Sequence, residues 1–276
     1  MLFRSKSKIN LGLKVLNKRS DGFHNIVTIF QEIDFADKIE LVKHRTGCQI
    51  KSNVDWIPLD SSNLCHKAYS ALCHELNHDL GVEISIEKRI PVGSGVGGGS
   101  ANAAATLIGL NSLYNLGLND IKLESIGANI GADVPFFIKG GTQIGEEKGE
   151  KLSPITQKLE AIILLVIPKV RISTEWAYSQ IKNKLKSDNS ILRFADLMRK
   201  DFLSFKFFEN DFEKIVIPAY PEIGSIKNKL LDSGAKFASL SGSGSTVFGI
   251  YDNKAYAKKA ESYFHNSHLT ILTRPI

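Results

Sequence analysis

The sequence predicts an α+β fold with two subdomains. Segments that have the apolar patterning of strands are interspersed with segments of helical composition, and their order does not follow a strict βαβ repeat. With 276 residues the chain is long enough for one large or two medium-sized domains. The polar stretch at residues 145–151 is the best candidate for a boundary, so we expect domains at residues 1–150 and 151–276.

The first half of the chain is predicted to mix strands and helices. Residues 82–87 alternate apolar and polar side chains, as a half-buried strand does. Residues 101–114 are rich in Ala and Leu and contain no Pro, which is typical of a helix. Asn119 or Asp120 can cap another helix that ends near Gly131. The other predicted elements are strands at residues 8–16, 25–34 and 38–42, a turn at residues 19–22 and a helix at residues 63–77.

The second half is predicted to contain strands and helices around a second glycine-rich turn, at residues 241–245. Strands are expected at residues 162–167, 236–240, 246–251 and 269–273, helices at residues 176–185, 222–231 and 253–264, and a solvated loop at residues 186–190.

Composition and charge limit the classes of partner. The net charge of +6 suits an anionic ligand, but the Lys and Arg residues are spread along the chain, which does not favour nucleic acid. The longest apolar run, residues 161–167, is too short to cross a bilayer, so we expect no membrane partner. The three cysteines lack metal-binding or redox spacing, which favours a cytoplasmic location.

Residues 91–102 form a glycine-rich segment between a predicted strand and a predicted helix. Glycines allow backbone N–H groups to approach a ligand closely, and a helix N-terminus favours negative charge. This order of strand, glycine-rich loop and helix therefore predicts a polyphosphate-binding site.

Three kinds of phosphate loop compete for this segment. The dinucleotide pattern Gly-x-Gly-x-x-Gly fits residues 93–98, but residues 121–124 look like the start of a helix rather than a strand end with an acidic ribose ligand. A Walker loop requires a lysine that residues 98–100 do not contain. The third kind is the loop of small-molecule kinases, whose characteristic residues are supplied by Pro91, Gly95, Val96, Gly97 and Ala101.

Phosphoryl transfer to an alcohol also requires a group that manages the hydroxyl proton. Asp133 is a candidate, because it precedes an apolar run, and a carboxylate beside buried residues is costly unless it is paired or used. Lys8 is the candidate cation, on a strand face that it shares with Asn10 and Gly12. The alternatives are an aspartate that caps a turn and a solvated lysine at a strand end.

His74-Glu75-Leu76-Asn77-His78 satisfies the zinc-protease pattern His-Glu-x-x-His. Both histidines are expected on the solvated face of the predicted helix, opposite its apolar stripe. We therefore predict no metal site in the protein.

Four segments together resemble the GHMP kinase superfamily. They are Lys8-Ile9-Asn10-Leu11, residues 91–101, Gly131-Ala132-Asp133-Val134-Pro135 and Ser241-Gly242-Ser243-Gly244, in this order. Two further stretches are similar to one branch, which acts on a cytidine diphosphate-linked polyol: residues 19–24, with Phe23 where that branch usually has Tyr, and the acidic residues Asp34 and Asp37 after Gln31.

The resemblance implies a two-subdomain GHMP kinase fold. Its N-terminal part is a nucleotide-binding α/β subdomain and its C-terminal part a ferredoxin-like α+β subdomain, with the active site between them. It also implies that Asp133 is the base that deprotonates or orients the acceptor hydroxyl, and that Lys8 pairs with Asp133 and faces the transferred phosphoryl group. ATP would arrive with Mg²⁺. The implied ATP-binding residues are Asn63, Lys88, Pro91, Val92, Gly93, Ser94, Gly95, Val96, Gly97, Gly98, Gly99, Ser100 and Ala101.

For the second substrate, the resemblance implies that Asn10 contacts the polyol and that His24 recognises cytosine. Phe23 would stack on the base, and a second ring would come from Tyr178, with Trp176 in reserve. Gly242 and Gly244 complete the substrate residues. We expect a monomer or weak homodimer. The alternatives are a GHMP kinase for another small alcohol, a non-catalytic regulator on the same fold, which would have lost Lys8 or Asp133, and a basic RNA-binding protein.

Overall fold

The computed structural model describes residues 1–181, 205 and 208–276. These residues form two compact units. The first unit contains residues 1–7, 35–92 and 97–140, and the second contains residues 8–34, 93–96 and 141–276.

Ten strands lie in the described part of the chain. They are β1 (Leu2–Lys18), β2 (His24–Lys43), β3 (Cys48–Ser52), β4 (Val82–Glu87), β5 (Thr142–Glu147), β6 (Lys151–Pro154), β7 (Ile162–Ile167), β8 (Phe237–Leu240), β9 (Val247–Tyr251) and β10 (Leu269–Thr273). The prediction of a separate strand at residues 38–42 is wrong, because these residues continue β2. No turn residue interrupts β2, and Phe35 and Ala36 are buried within it.

Eight helices accompany these strands in the described residues. They are α1 (Leu64–Leu76), α2 (Gly98–Leu113), α3 (Asp120–Ala128), α4 (Phe136–Lys139), α5 (Thr174–Ser179), α6 (Glu213–Ala219), α7 (Pro221–Asp232) and α8 (Lys254–Phe264). Helix α5 begins earlier than predicted, because the Ser173 side chain accepts a hydrogen bond from the N–H of Trp176 and caps it. It ends at Ser179, and residues 182–190, with the predicted helix end and loop, lie outside the described residues.

The first unit contains three paired strand segments and a group of helices that pack against one another. Strand β4 pairs in parallel with β3 and antiparallel with residues 38–43 of β2. Helix α2 packs against α1, α3 and α4. Its alanines and leucines are buried on almost all sides, so α2 is a central helix rather than an amphipathic surface helix.

In the second unit, residues 26–31 of β2 pair antiparallel with β5, and β5 forms a hairpin with β6. A four-stranded antiparallel sheet has the order β10-β7-β9-β8, and α7 and α8 pack against it. The sheet and the two helices share one hydrophobic core, which includes Leu164, Leu230, Val247 and Phe264.

The α+β class predicted from the sequence is confirmed. The polar stretch at residues 145–151 includes the turn between β5 and β6. The domain boundary after residue 150 stays a prediction. In the described part of the chain, no helix combines the length and the apolar character needed to span a membrane.

Candidate active site

The glycine-rich loop leads directly into α2, which begins at Gly98, three residues earlier than predicted. At Gly95 the backbone has φ +82°, a conformation that side chains disfavour. A Cβ on Gly95 would also lie 2.8 Å from the carbonyl oxygen of Gly244 and even closer to that of Ser241. Only glycine therefore allows the loop to approach the turn at residues 241–245.

The second glycine-rich turn, residues 241–245, is hydrogen-bonded to the loop. The Ser241 hydroxyl donates to the carbonyl oxygen of Gly95 at 2.8 Å, and the N–H of Thr246 donates to that of Ser94 at 3.0 Å. The N–H of Asn10 on β1 donates to the Ser241 hydroxyl at 3.4 Å. Ser241 therefore contacts both the glycine-rich loop, which is predicted to bind ATP, and Asn10 of β1, which is predicted to bind the second substrate.

Lys8 on β1 is buried, with 4% of its surface exposed, which excludes the solvated alternative. Its Nζ donates to Oδ1 of Asn10 at 2.6 Å and lies 5.0 Å from the centroid of the Phe30 ring. Its backbone N–H donates to the carbonyl oxygen of Val96 at 3.0 Å. The structure thus joins a buried cation to the loop through the backbone and to Asn10 through the side chain.

Asp133 lies in a turn between α3 and α4 and is half-buried. The turn is closed by a hydrogen bond from the N–H of Val134 to the carbonyl oxygen of Gly131 at 3.0 Å, and Val134 and Phe136 after it are fully buried. Apolar burial of the following residues therefore fixes how the chain leaves Asp133. Because Lys8 belongs to the other unit, its pairing with Asp133 stays a prediction.

Lys88 is buried beside the first turn of α2, where its Nζ lies 3.1 Å from the position of a Cβ on Gly98. It forms an ion pair with Asp37, which is also fully buried. The second carboxylate oxygen of Asp37 accepts the N–H groups of Arg89 at 2.7 Å and Ile90 at 2.8 Å. No partner for Lys88 was predicted from the sequence. The sequence signal for one was Asp37, which follows the apolar residues Phe35 and Ala36 in β2.

Asn63 has a structural role at the start of α1. Its Oδ1 accepts the N–H of Cys65 at 2.9 Å, and its Nδ2 donates to the carbonyl oxygen of Pro58 at 2.6 Å. The amide thus caps the helix. The expected contacts of Asn63 and Lys88 with adenosine stay predictions.

The predicted cytosine-binding residues form a small cluster of rings. The rings of His24 and Tyr178 are stacked, with centroids 5.3 Å apart, and Tyr178 packs edge-on against the buried Phe212. Trp176 instead packs against Tyr220, so Tyr178 is the one of the two candidates that meets His24. Burial, and then the charge of Lys18, lowers the pKa of the His24 imidazole and so favours its neutral form.

Phe23 stays largely exposed, and the Nζ of Lys148 lies 5.4 Å from its ring centroid. The Phe23 ring therefore lies on the surface of the second unit, where it is accessible to a nucleobase. The ammonium group of Lys148 faces the ring.

The His-Glu-x-x-His pattern does not form a helical pair of ligands. Helix α1 ends at Leu76, and Asn77 adopts a left-handed conformation with φ 49°, so His78 lies beyond the helix. Glu75 pairs with Lys122. Within the described ranges, no three His, Cys, Asp or Glu side chains are grouped closely enough to hold a metal ion.

Comparison with protein families shows the class of protein to which the chain belongs. The family model "GHMP kinases N terminal domain" matches residues 63–141, and "GHMP kinases C terminal" matches residues 181–270. The crystal structure of the Methanococcus jannaschii mevalonate kinase shares the fold, with a TM-score of 0.75 over 100% of this chain and 98% of that chain at 16% identity. The fold and the site define a small-molecule kinase of the GHMP class.

More similar relatives narrow the class. The 4-diphosphocytidyl-2-C-methyl-D-erythritol kinase of Acetivibrio thermocellus is 40% identical over 96% of this chain and 94% of its own length, and that of Clostridium novyi is 36% identical over 100% of both. A crystal structure of 4-(cytidine 5'-diphospho)-2C-methyl-D-erythritol kinase aligns with a TM-score of 0.84 at 26% identity, over 100% of this chain and 99% of that chain. The chain belongs to the family of 4-diphosphocytidyl-2-C-methyl-D-erythritol kinases.

Proposed function

We propose that this protein transfers the γ-phosphoryl group of ATP to the 2-hydroxyl group of 4-diphosphocytidyl-2-C-methyl-D-erythritol, a step of non-mevalonate isoprenoid precursor biosynthesis. The observation that carries the proposal is the environment of Lys8. Its ammonium group is buried and hydrogen-bonded to Asn10, and its backbone is bonded to Val96 of the glycine-rich loop. A kinase needs such a fixed positive charge near the transferred phosphoryl group.

In the proposed mechanism, transfer is direct and in line, without a phosphoenzyme. Residues 91–101 surround the phosphates of ATP with backbone N–H groups, and the N-terminus of α2 adds its partial positive charge. Mg²⁺ neutralises charge on the phosphates when it is bound. The described residues offer no cluster of protein ligands for it, so the proposal assigns it to the nucleotide.

The proton of the acceptor hydroxyl passes to Asp133 in this proposal. The half-buried position of that carboxylate, next to fully buried apolar residues, supports a role as proton acceptor because exclusion of water strengthens its interactions. Lys8 stabilises the negative charge that develops on the acceptor and the phosphoryl group.

Recognition of the second substrate is assigned to the second unit. His24, Tyr178 and Phe23 hold the cytosine, Asn10 contacts the polyol, and Gly242 and Gly244 offer backbone groups. Contacts of Asn63 and Lys88 with adenosine, domains at residues 1–150 and 151–276, a cytoplasmic location and a monomer or weak homodimer belong to the same proposal.

The test is ADP release with ATP, Mg²⁺ and 4-diphosphocytidyl-2-C-methyl-D-erythritol, run beside mevalonate, homoserine and galactose. Turnover with the cytidylyl compound alone supports the proposal. Turnover with another alcohol instead would show a GHMP kinase of different specificity. No turnover with any of them, from folded protein that binds ATP, would favour a non-catalytic regulator.

A further inference from the structure

Asn210, just before α6, is a polar residue for which sequence analysis predicted no role. It is 1% exposed. Its Nδ2 donates to the carbonyl oxygens of Leu240 at 2.7 Å and Gly242 at 2.8 Å, and its Oδ1 accepts the N–H of Phe212 at 3.0 Å. Both amide hydrogens therefore bind the start of the turn at residues 241–245.

The chain around Asn210 is fixed to β1. The N–H of Leu13 donates to the carbonyl oxygen of Glu209 at 2.8 Å, and the N–H of Asp211 donates to that of Leu13 at 2.9 Å. The Asp211 side chain accepts the N–H of Val15 at 3.0 Å. Asn210 thus connects the turn to the strand that carries Lys8 and Asn10.

The turn that Asn210 holds contacts three segments of the proposed site. Ser241 binds Gly95 of the glycine-rich loop and Asn10 of β1, as described above. The Ser243 hydroxyl lies 2.9 Å from that of Thr174, at the start of the helix that carries Tyr178. A displacement of the turn would therefore move the glycine-rich loop, strand β1 with Asn10, and helix α5 with Tyr178 relative to one another.

We propose that Asn210 is a positioning residue for phosphoryl transfer, and this proposal rests on the proposed function. Its proposed role is indirect, because its side chain is buried and both of its N–H groups bind the protein. It sets the position of the turn between β1 and the glycine-rich loop through its two bonds to Leu240 and Gly242. A misplacement of about 1 Å is enough to lower the rate of an enzyme by about 100-fold, because reacting groups must be aligned closely.

Asn210→Asp is the sharpest test. Aspartate keeps the shape and the acceptor for Phe212, but it places a carboxylate oxygen against two carbonyl oxygens and removes both donated hydrogen bonds. The matched control is Asn111→Asp in the other unit. The Nδ2 of Asn111 donates to the carbonyl oxygen of Leu118 at 2.9 Å, and its Oδ1 accepts the N–H of Leu118 at 3.0 Å. The same kinds of hydrogen bond therefore hold a turn outside the proposed site.

The measurements are Tm, kcat and KM for both substrates on the full chain. We expect Asn210→Asp to lower kcat by about 10- to 100-fold, and Asn111→Asp to lower Tm while leaving kcat and both KM values unchanged. Ser241→Ala, which removes the bond from the turn to Gly95, should lower kcat in the same direction. The double variant should lose less than the product of the two effects, since both act through one turn.

The inference is overturned if Asn210→Asp and Ser241→Ala keep kcat and both KM values within about twofold of wild type. If Asn210→Asp does not fold, the decision rests on Ser241→Ala together with Asn210→Ser. Lys8→Met and Asp133→Asn distinguish failure of the positioning role from failure of the proposed function. If they lose activity while the turn variants keep it, only the positioning role fails. If they also keep it, the proposed function of the site fails.

Discussion

Asp37 and Lys88 form an ion pair in the interior of the first unit, with 0% and 3% of their side chains exposed. The same aspartate accepts the backbone N–H groups of Arg89 and Ile90, which precede the glycine-rich loop at Pro91. One carboxylate therefore binds both the lysine and the chain that enters the loop. These additional hydrogen bonds offset the cost of removing two charges from water.

Asp37→Asn is expected to lower the free energy of unfolding by about 3–5 kcal/mol, because it leaves the ammonium group of Lys88 buried without its counter-charge. The double variant Asp37→Asn/Lys88→Met should recover part of that loss. Denaturant unfolding measures both.

The control pair for this prediction is Lys51 and Glu83, whose charged groups are 2.8 Å apart and whose side chains are 63% and 27% exposed. Lys51→Met should change the free energy of unfolding by about 1 kcal/mol or less. Equal effects of the buried and the exposed variants would contradict the role given to Asp37.

Gly95→Ala should raise the KM for ATP strongly, because its Cβ would collide with the carbonyl oxygens of Ser241 and Gly244 and displace the loop. Gly93→Ala is the matched comparison in the same loop. Gly93 also has a positive φ, but a Cβ there would meet nothing within 4 Å. It should therefore cost only the conformational penalty of about 1–2 kcal/mol. Steady-state kinetics with varied ATP distinguish the two, and a larger effect at Gly93 would contradict the close approach.

Asp133→Asn is expected to lower kcat by about 10²- to 10⁴-fold with ATP binding retained, since an amide cannot accept the hydroxyl proton. Calorimetry with ATP and single-turnover kinetics measure the two properties separately. Asp120→Asn, at an exposed aspartate in the first turn of α3, serves as the control and should leave kcat unchanged. Normal turnover by Asp133→Asn would remove the proposed base.

Tyr178→Ala should raise the KM for the cytidylyl substrate while leaving the KM for ATP unchanged. One stacked base contributes about 1–3 kcal/mol, which corresponds to an increase of about 5- to 150-fold. Trp176→Ala is the control on the same helix, because Trp176 packs against Tyr220 rather than His24. It should affect stability and not this KM. The reverse result would move the second ring to Trp176.

Several elements could be predicted because their signals are local. The predicted cap at Asn119 accepts the backbone N–H of Lys122, three residues further along the chain, and such a cap depends only on neighbouring residues. Two predictions failed for different reasons. Nothing in residues 34–37 marks that β2 continues to Lys43. The start of α5 has a local signal, the side-chain cap of Ser173 on the N–H of Trp176, but the prediction did not use it.

The sequence by itself determined the fold class and the place of the glycine-rich loop, and it supplied the candidate site residues, because composition, spacing and local capping are properties of neighbouring residues. Only the tertiary structure decided that Lys8 is buried beside Asn10, that Lys88 has Asp37 as its partner and that Asn210 holds the turn at Gly242. The last two are contacts between residues 51 and 32 positions apart. Such contacts form when the packing of the core brings distant segments together, and no local pattern records which of the buried polar residues will then meet.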